Sequence, residues 1–315
     1  MIFFNLSNLI WRKVRVPISM IHLSPLRLFY LGILCFSLGF SPVFAAQSSD
    51  ALTLHKTFTT LESQLQSSPL KRPALIASSE TTDTLQGDLH TILDQPFGAL
   101  RAMAILPSRW CEVILLLSNT KACRVDGGNV AIKLLVLASS SKGQSTAGAT
   151  TSEFLFSAQK DEPEYLDIAL LAESGPMGTN QLRLQLQAIP LTPARSFLRL
   201  HYSYNTSWMG RMAMQTYLQT LGRGKTGFTV VDSPDSPSAF IGGARGVIER
   251  NTMRYFLGLE CSLSAKGPES AERFQAMADC WYNAVEKYPV QLHEMDRTEY
   301  LTIKAAEYQA GKTKP

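Results

Sequence analysis

Val130-Ala-Ile132-Lys-Leu134, Phe154-Leu-Phe156, Leu166-Asp-Ile168-Ala-Leu170, Leu182-Arg-Leu184-Gln-Leu186 and Leu198-Arg-Leu200-His-Tyr202-Ser-Tyr204 all fall within one stretch, Lys121 to Tyr204. In each run apolar residues recur at every second position. Successive side chains of an extended chain point to opposite faces, so each run predicts a strand with one buried and one wetter face. Asp126-Gly127-Gly128-Asn129 supplies a hairpin turn, because glycine and asparagine tolerate the positive φ of tight turns. Ser139 to Ser152 reads as a solvated loop, and Ser174–Asn180 and Pro190–Pro193 separate later strands. The series predicts a curved antiparallel sheet whose inner face needs covering helices.

Upstream, Leu54, Phe58, Leu61 and Leu65 recur at helical spacing and predict an amphipathic helix over 51–66. Ala74–Glu80 reads as an edge strand and Thr84–Leu93 as a strand. Asp94-Gln95-Pro96 then opens a helix over 97–106 with a carboxylate as its cap, and Ser108 caps a second over 109–117. Downstream, Met214, Tyr217, Leu218 and Leu221 predict a helix begun near Ser207 and ended by Gly222. Lys225–Val231 reads as extended and 232–237 as an exposed turn. Residues 243–263 and 269–288 read as helices, although Met253, Tyr255, Leu257 and Leu259 also fit a strand. Asp296 and Glu299 have capping-box spacing at the start of a last helix.

The order from Thr84, a strand, two short helices, about six antiparallel strands and a helix, resembles the START/polyketide-cyclase helix-grip superfamily. The segments that carry the resemblance are Asp94-Gln-Pro-Phe-Gly-Ala-Leu100 and Leu106-Pro-Ser-Arg-Trp-Cys111, placed as the two helices after the first strand. The resemblance implies an α+β helix-grip, about seven strands wrapped on a helix, enclosing an apolar cavity for lipids, sterols or polyketides. The sequence departs from the pattern after Leu221, where a glycine-rich insert and further helices follow. The resulting division is 1–46 export segment, 47–82 helix and linker, 83–231 sheet domain and 232–315 helical extension.

Arg27 precedes the apolar run Leu28–Phe40, and Pro42-Val-Phe-Ala-Ala46 resembles a cleavage site; together they read as a signal peptide. Met20 is a more usual start for it than Met1, and an uncleaved anchor is the alternative. The chain carries 30 Lys+Arg against 26 Asp+Glu. All four charges before Gln47 are basic, so the mature chain balances at 26 against 26. No basic tract remains to point to nucleic acid. The expected compartment is exported, periplasmic in a bacterial cell.

Cys111, Cys123, Cys261 and Cys280 remain after the cut, a count that permits disulfides in an exported chain. Cys111–Cys123, flanking the helix-to-strand turn, is the favoured pair. On a regular hairpin turning near Gly267, Cys261 and Cys280 stand offset by roughly 10 Å at 1.5 Å per residue, beyond disulfide reach. Buried free thiols are the alternative there.

Gly222-Arg-Gly-Lys225-Thr226 imitates the end of a phosphate-binding loop, but Gln219 occupies the position of its first glycine, so a helix cap and turn is the reading. His293, Glu294 and Asp296 read as a surface helix start rather than a metal site. Gly-x-Ser-x-Gly, His-Glu-x-x-His and Cys-x-x-Cys are absent, which favours a non-enzymatic protein without a cofactor. Tyr202, Tyr204, Trp208, Met212 and Met214 combine rings and flexible thioethers, a lining suited to an apolar ligand, though the same residues fill ordinary cores. The leading expectation is an exported binder of a lipid-like or other apolar small molecule. The alternatives are a filled-core envelope module with 243–308 as its interaction surface, and a cyclase- or hydrolase-like enzyme in the same cavity. Peripheral envelope association is expected in the first two; nothing in the sequence sets the oligomeric state.

Overall fold

The alternating runs form one antiparallel sheet. The computed structural model describes residues 49–127, 132–138, 148–220, 222–233 and 236–313. The strands of the main sheet are β1 (Ala74–Glu80), β2 (Thr84–Leu93), β3 (Thr120–Gly127), β4 (Ile132–Ala138), β5 (Thr150–Glu162), β6 (Tyr165–Ser174), β7 (Thr179–Thr192) and β8 (Arg195–Thr206). They lie in the order β1-β2-β8-β7-β6-β5-β4-β3. A small hairpin pairs β9 (Val230–Ser233) with β10 (Ser236–Phe240). The helices are α1 (Ser49–Gln66), α2 (Phe97–Ala104), α3 (Pro107–Leu115), α4 (Trp208–Gln219), α5 (Gly243–Ser264), α6 (Ala271–Val285), α7 (Pro289–Leu292) and α8 (Arg297–Thr313). The expected export segment, the tip of the 126–129 turn and most of the 139–152 loop lie outside the described residues.

The sheet has eight strands because β1 joins β2 in full register from Ala74↔Thr91 to Glu80↔Leu85. Residues 74–80 are thus an edge of the sheet rather than linker. Residues 46–315 make one unit. Within it α5 is no peripheral extension: it lies across β1, β2 and β8 as the gripped helix, with α2, α3 and α6 against its other sides. Ile248, Thr252, Met253, Phe256, Leu257 and Leu259 are all buried on it. A helix covered on several sides is apolar around most of its circumference. That is why its sequence lacks a clean stripe and also fits a strand.

Gly87 of β2 sets how closely α5 approaches. A Cβ built there would stand 2.5 Å from Thr252 Oγ1 and 3.4 Å from Ile248 Cγ1. Glu249, fully buried, accepts from Ser78 Oγ (2.6 Å), Phe228 N (2.7 Å), Thr229 N (2.9 Å) and Thr229 Oγ1 (2.7 Å). Four donors satisfy the charge and pin the glycine-rich insert to α5 and β1. On the other side of α5, Arg250 donates to Gln291 O, and Arg254 Nη2 to Leu292 O (3.3 Å) and Glu294 Oε1 (2.6 Å). The two guanidiniums occupy the last carbonyls of α7, groups with no partner inside a helix.

Two expected caps are corrected. Pro96 and Leu106 stand at the N-caps of α2 and α3 with no side-chain cap bond. Asp94 instead faces Arg195, the first residue of β8, at 3.2 Å, and Pro107, which has no N–H to satisfy, starts α3. The helix expected to begin near Ser207 does so, and Ser207 caps it: its Oγ accepts from Gly210 N at 3.1 Å. The Gly222–Lys225 segment is a turn closing α4, with Gly222 N bonded to Tyr217 O at 2.7 Å.

Cys111 is joined to Cys123, tying α3 to β3, and Cys261 to Cys280, tying α5 to α6. The second bond corrects the reach argument, which assumed a tight regular hairpin. The connection over 265–270 is long enough to let α6 begin set back from the end of α5, so the two Cα atoms come within 5.7 Å.

The outer face of the sheet carries α1. Ala51, Leu54 and Leu65 bury Ile92, Tyr165, Ile189 and Phe197, with the Phe58 ring 5.2 Å from that of Phe197. The expected amphipathic stripe therefore has its partner on the side away from α5.

Candidate functional site

Where α5 crosses the sheet, the space that the family resemblance implies as a cavity is occupied by side chains. Leu89, Leu198 and Leu200 from the sheet meet Ile248, Met253 and Phe256 from the helix, all without solvent exposure. Tyr202 sits in the same packing, its ring edge-on to Tyr255 at 5.2 Å. Burial pushes the Tyr255 hydroxyl up to about 12 and Tyr202 well above its ordinary range, so both phenols stay neutral.

Space opens at one end of the grip. A groove of about 160 Å³, open to solvent on one side, lies between the β1–β2 turn, the end of β8, α4 and the start of α5. Leu85, Tyr204, Met214, Leu218 and Ala244 supply its apolar wall. Glu80, Thr81, Thr82, Thr84, Thr206, Arg211 and Gln215 supply polar groups. Arg211 is fixed in place, its Nη1 donating to Thr82 O (3.1 Å), Asp83 Oδ1 (2.9 Å) and Thr206 O (3.3 Å). Burial, reinforced by the charge of Glu80, raises the Tyr204 hydroxyl far above its usual range. The groove thus offers one neutral aromatic wall, an aliphatic floor and a hydroxyl-rich rim with one guanidinium.

Of the five residues expected to line a ligand site, the structure brings two together. Tyr204 and Met214 both face the groove. Tyr202, two residues back on the same strand face, lies deeper in the filled core. Trp208 and Met212 are 66% and 51% exposed and point to solvent. The reason is helical phase: residues four apart share a face, so 208 and 212 lie together while 211, 214 and 218 turn toward the strands. Leu85, Leu218 and Ala244 were not among the residues expected to line a ligand site. Leu85 was readable from the alternation of 84–93, and Leu218 from its spacing to Met214. Ala244 had no signal.

A second concentration of polar groups lies on the outer face beside α1. Asp88 receives Arg199 Nε at 2.8 Å and Nη2 at 2.7 Å, and faces His201 Nδ1 at 3.1 Å. Burial raises the Asp88 carboxyl, but the His201 hydrogen bond and the Arg199 charge outweigh it, and the net shift is downward. His90, stacked on Phe197, is pushed down to about 4 by burial, against the pull of Asp88 and with the help of Arg199. Among the described residues no group of three or more His, Cys, Asp or Glu side chains converges to hold a metal.

An open antiparallel sheet, two short helices after its first long strand and a long helix laid across the concave face define the helix-grip class of α+β protein. Human StAR-related lipid transfer protein 5 is similar at 9% identity and a TM-score of 0.34, over 69% of this chain and 97% of that one. The Zhui aromatase/cyclase from Streptomyces sp. R1128 is similar at 11% identity and 0.32, over 57% and 92%. Norcoclaurine synthase from Thalictrum flavum is similar at 12% identity and 0.31, over 47% and 88%. These are likenesses of fold, and the ligands and reactions in those names stay with those proteins. No protein-family model matches the chain, and no curated protein matches it either.

Proposed function

We propose that the chain is an exported binding protein for a small apolar or amphiphilic molecule, lipid-like in character, held without chemistry in the groove beside Tyr204. The groove itself carries the reading: an aromatic and aliphatic wall with threonine hydroxyls and Arg211 at its mouth. Pockets of this make-up take the apolar part of a ligand inside and orient its polar end at the rim. A volume of about 160 Å³ matches a cavity that accepts a benzene-sized guest. It suits a single ring or the end of an acyl chain, and it is too small to enclose a sterol. What supports export is the pattern of Arg27, Leu28–Phe40 and Ala45-Ala46, together with the pairing of all four remaining cysteines.

The test is binding of medium-chain fatty acids and monocyclic aromatics to mature protein, read by native mass spectrometry and calorimetry. Met214→Trp fills the groove and is expected to weaken binding at least tenfold with an unchanged far-ultraviolet spectrum. Absence of binding by both ligand sets, or binding indifferent to Met214→Trp, overturns the reading.

A second reading is an envelope interaction module, favoured by the packed concave face. Its surface would have to be α6–α8 and the exposed Trp208 and Met212, because α5 is core. Truncation at 243 therefore unfolds the sheet, and a partner must be sought with point variants.

A further inference from the structure

The outer face of β2, β8 and β7 carries a constellation that the groove does not use. Antiparallel register places Asp88 directly opposite His201, and Ser203 follows two residues later on the same face. His201 Nδ1 faces Asp88 Oδ1 at 3.1 Å, and His201 Nε2 faces Ser203 Oγ at 3.0 Å. A carboxylate at Nδ1 holds the ring proton there, which leaves Nε2 as the acceptor for the serine hydroxyl. Asp88 is held in turn by Arg199, through Nε at 2.8 Å and Nη2 at 2.7 Å.

Register also decides what flanks the hydroxyl. Gln86 of β2 stands opposite Ser203 on one side and Arg183 of β7 on the other. Arg183 is oriented by Gln185, whose Oε1 accepts from Nη1 at 2.9 Å while its Nε2 donates to Asp167 Oδ1 at 2.7 Å. Ser203 is only partly buried, so a reagent can reach it. An amide and a guanidinium beside a base-paired hydroxyl are donors suited to the negative oxygen that forms when a carbonyl is attacked.

We propose that Ser203 is a nucleophile activated by His201 and oriented through Asp88, forming an acyl-transfer site for activated esters on the outer sheet face. Ser203 Oγ forms a bond to the carbonyl carbon as its proton passes to His201 Nε2. The carbonyl electron pair moves to oxygen beside Arg183 and Gln86. It then returns as the bond to the leaving alcohol breaks, and that alcohol takes the proton from Nε2. Water repeats the sequence on the acyl-serine, releasing the acid and restoring Ser203. The site is recognised by geometry alone; no nucleophile-elbow motif surrounds Ser203.

The experiment treats mature protein with a fluorophosphonate probe and maps the adduct by peptide mass spectrometry, with trypsin as the positive control. One adduct on Ser203 is expected, lost in Ser203→Ala and formed about 100-fold more slowly in His201→Asn, in line with the contribution of a positioned base. Arg183→Ala is expected to slow hydrolysis of p-nitrophenyl acetate while leaving the fold and groove binding unchanged. No adduct on Ser203 under conditions that label trypsin overturns the proposal. So does an adduct that forms equally fast in folded His201→Asn.

Discussion

Gly87→Ala tests the closest approach in the grip. The added methyl would stand 2.5 Å from Thr252 Oγ1, 3.4 Å from Ile248 Cγ1 and 3.5 Å from Ile248 O. Thr252 cannot swing clear cheaply, because it is β-branched, fully buried and donates to Ile248 O at 2.8 Å. Overpacking of this kind costs about 1–3 kcal/mol. Replacing a strand glycine by alanine returns about 0.5–1 kcal/mol of chain entropy. The net expectation is a loss of about 1–2 kcal/mol in guanidinium unfolding followed by circular dichroism. Thr252→Ala removes the clashing oxygen, so the double variant is expected to recover most of the interaction, with a coupling of about 1–2 kcal/mol in the double-mutant cycle. Thr252→Val keeps a methyl where the hydroxyl stood and is expected to give no rescue. A coupling within about 0.5 kcal/mol of zero for Gly87→Ala with Thr252→Ala refutes the contact and the placement of α5 over β2.

His90 predicts an acid-sensitive stability. Its folded pKa, lowered to about 4, lies below the unfolded 6.5, so the unfolded chain binds more protons between those values. The contribution is complete above pH 6.5 and is lost as pH falls from 6.5 to 4, about 3 kcal/mol in all. His90→Gln is expected to flatten that part of the stability–pH curve, and an unchanged slope refutes the assignment. Non-reducing peptide maps are expected to show 111–123 and 261–280 linkages. With loops of 12 and 19 residues, replacing either pair by Ala should cost about 3 kcal/mol, measured by chemical unfolding. Glu249→Ala leaves three groups of the insert and Ser78 without their acceptor. We expect a loss of about 3 kcal/mol and new protease cleavage between 222 and 240, read by limited proteolysis.

Alternation along Lys121–Tyr204 was enough to read most of the sheet, because period two is a local property of a strand with one covered face. The α1 stripe and the start of α4 near Ser207 were legible for the same reason: each depends on residues within one or two turns. The element order then pointed to a helix-grip. Which helix is gripped was not legible, since α5 is buried on several sides and carries no stripe. Whether a cavity exists depended on how Ile248, Met253 and Phe256 meet the strands, and the structure shows them filling the crossing, with a groove at its end. Tyr204 and Met214 share that groove while Trp208 and Met212 do not, because the helix begins at a phase set by its packing. Asp88 meets His201 and Ser203, which share one face of β8, only through the pairing of β2 with β8. Residues more than a hundred positions apart become neighbours by register, and register is settled by the tertiary structure.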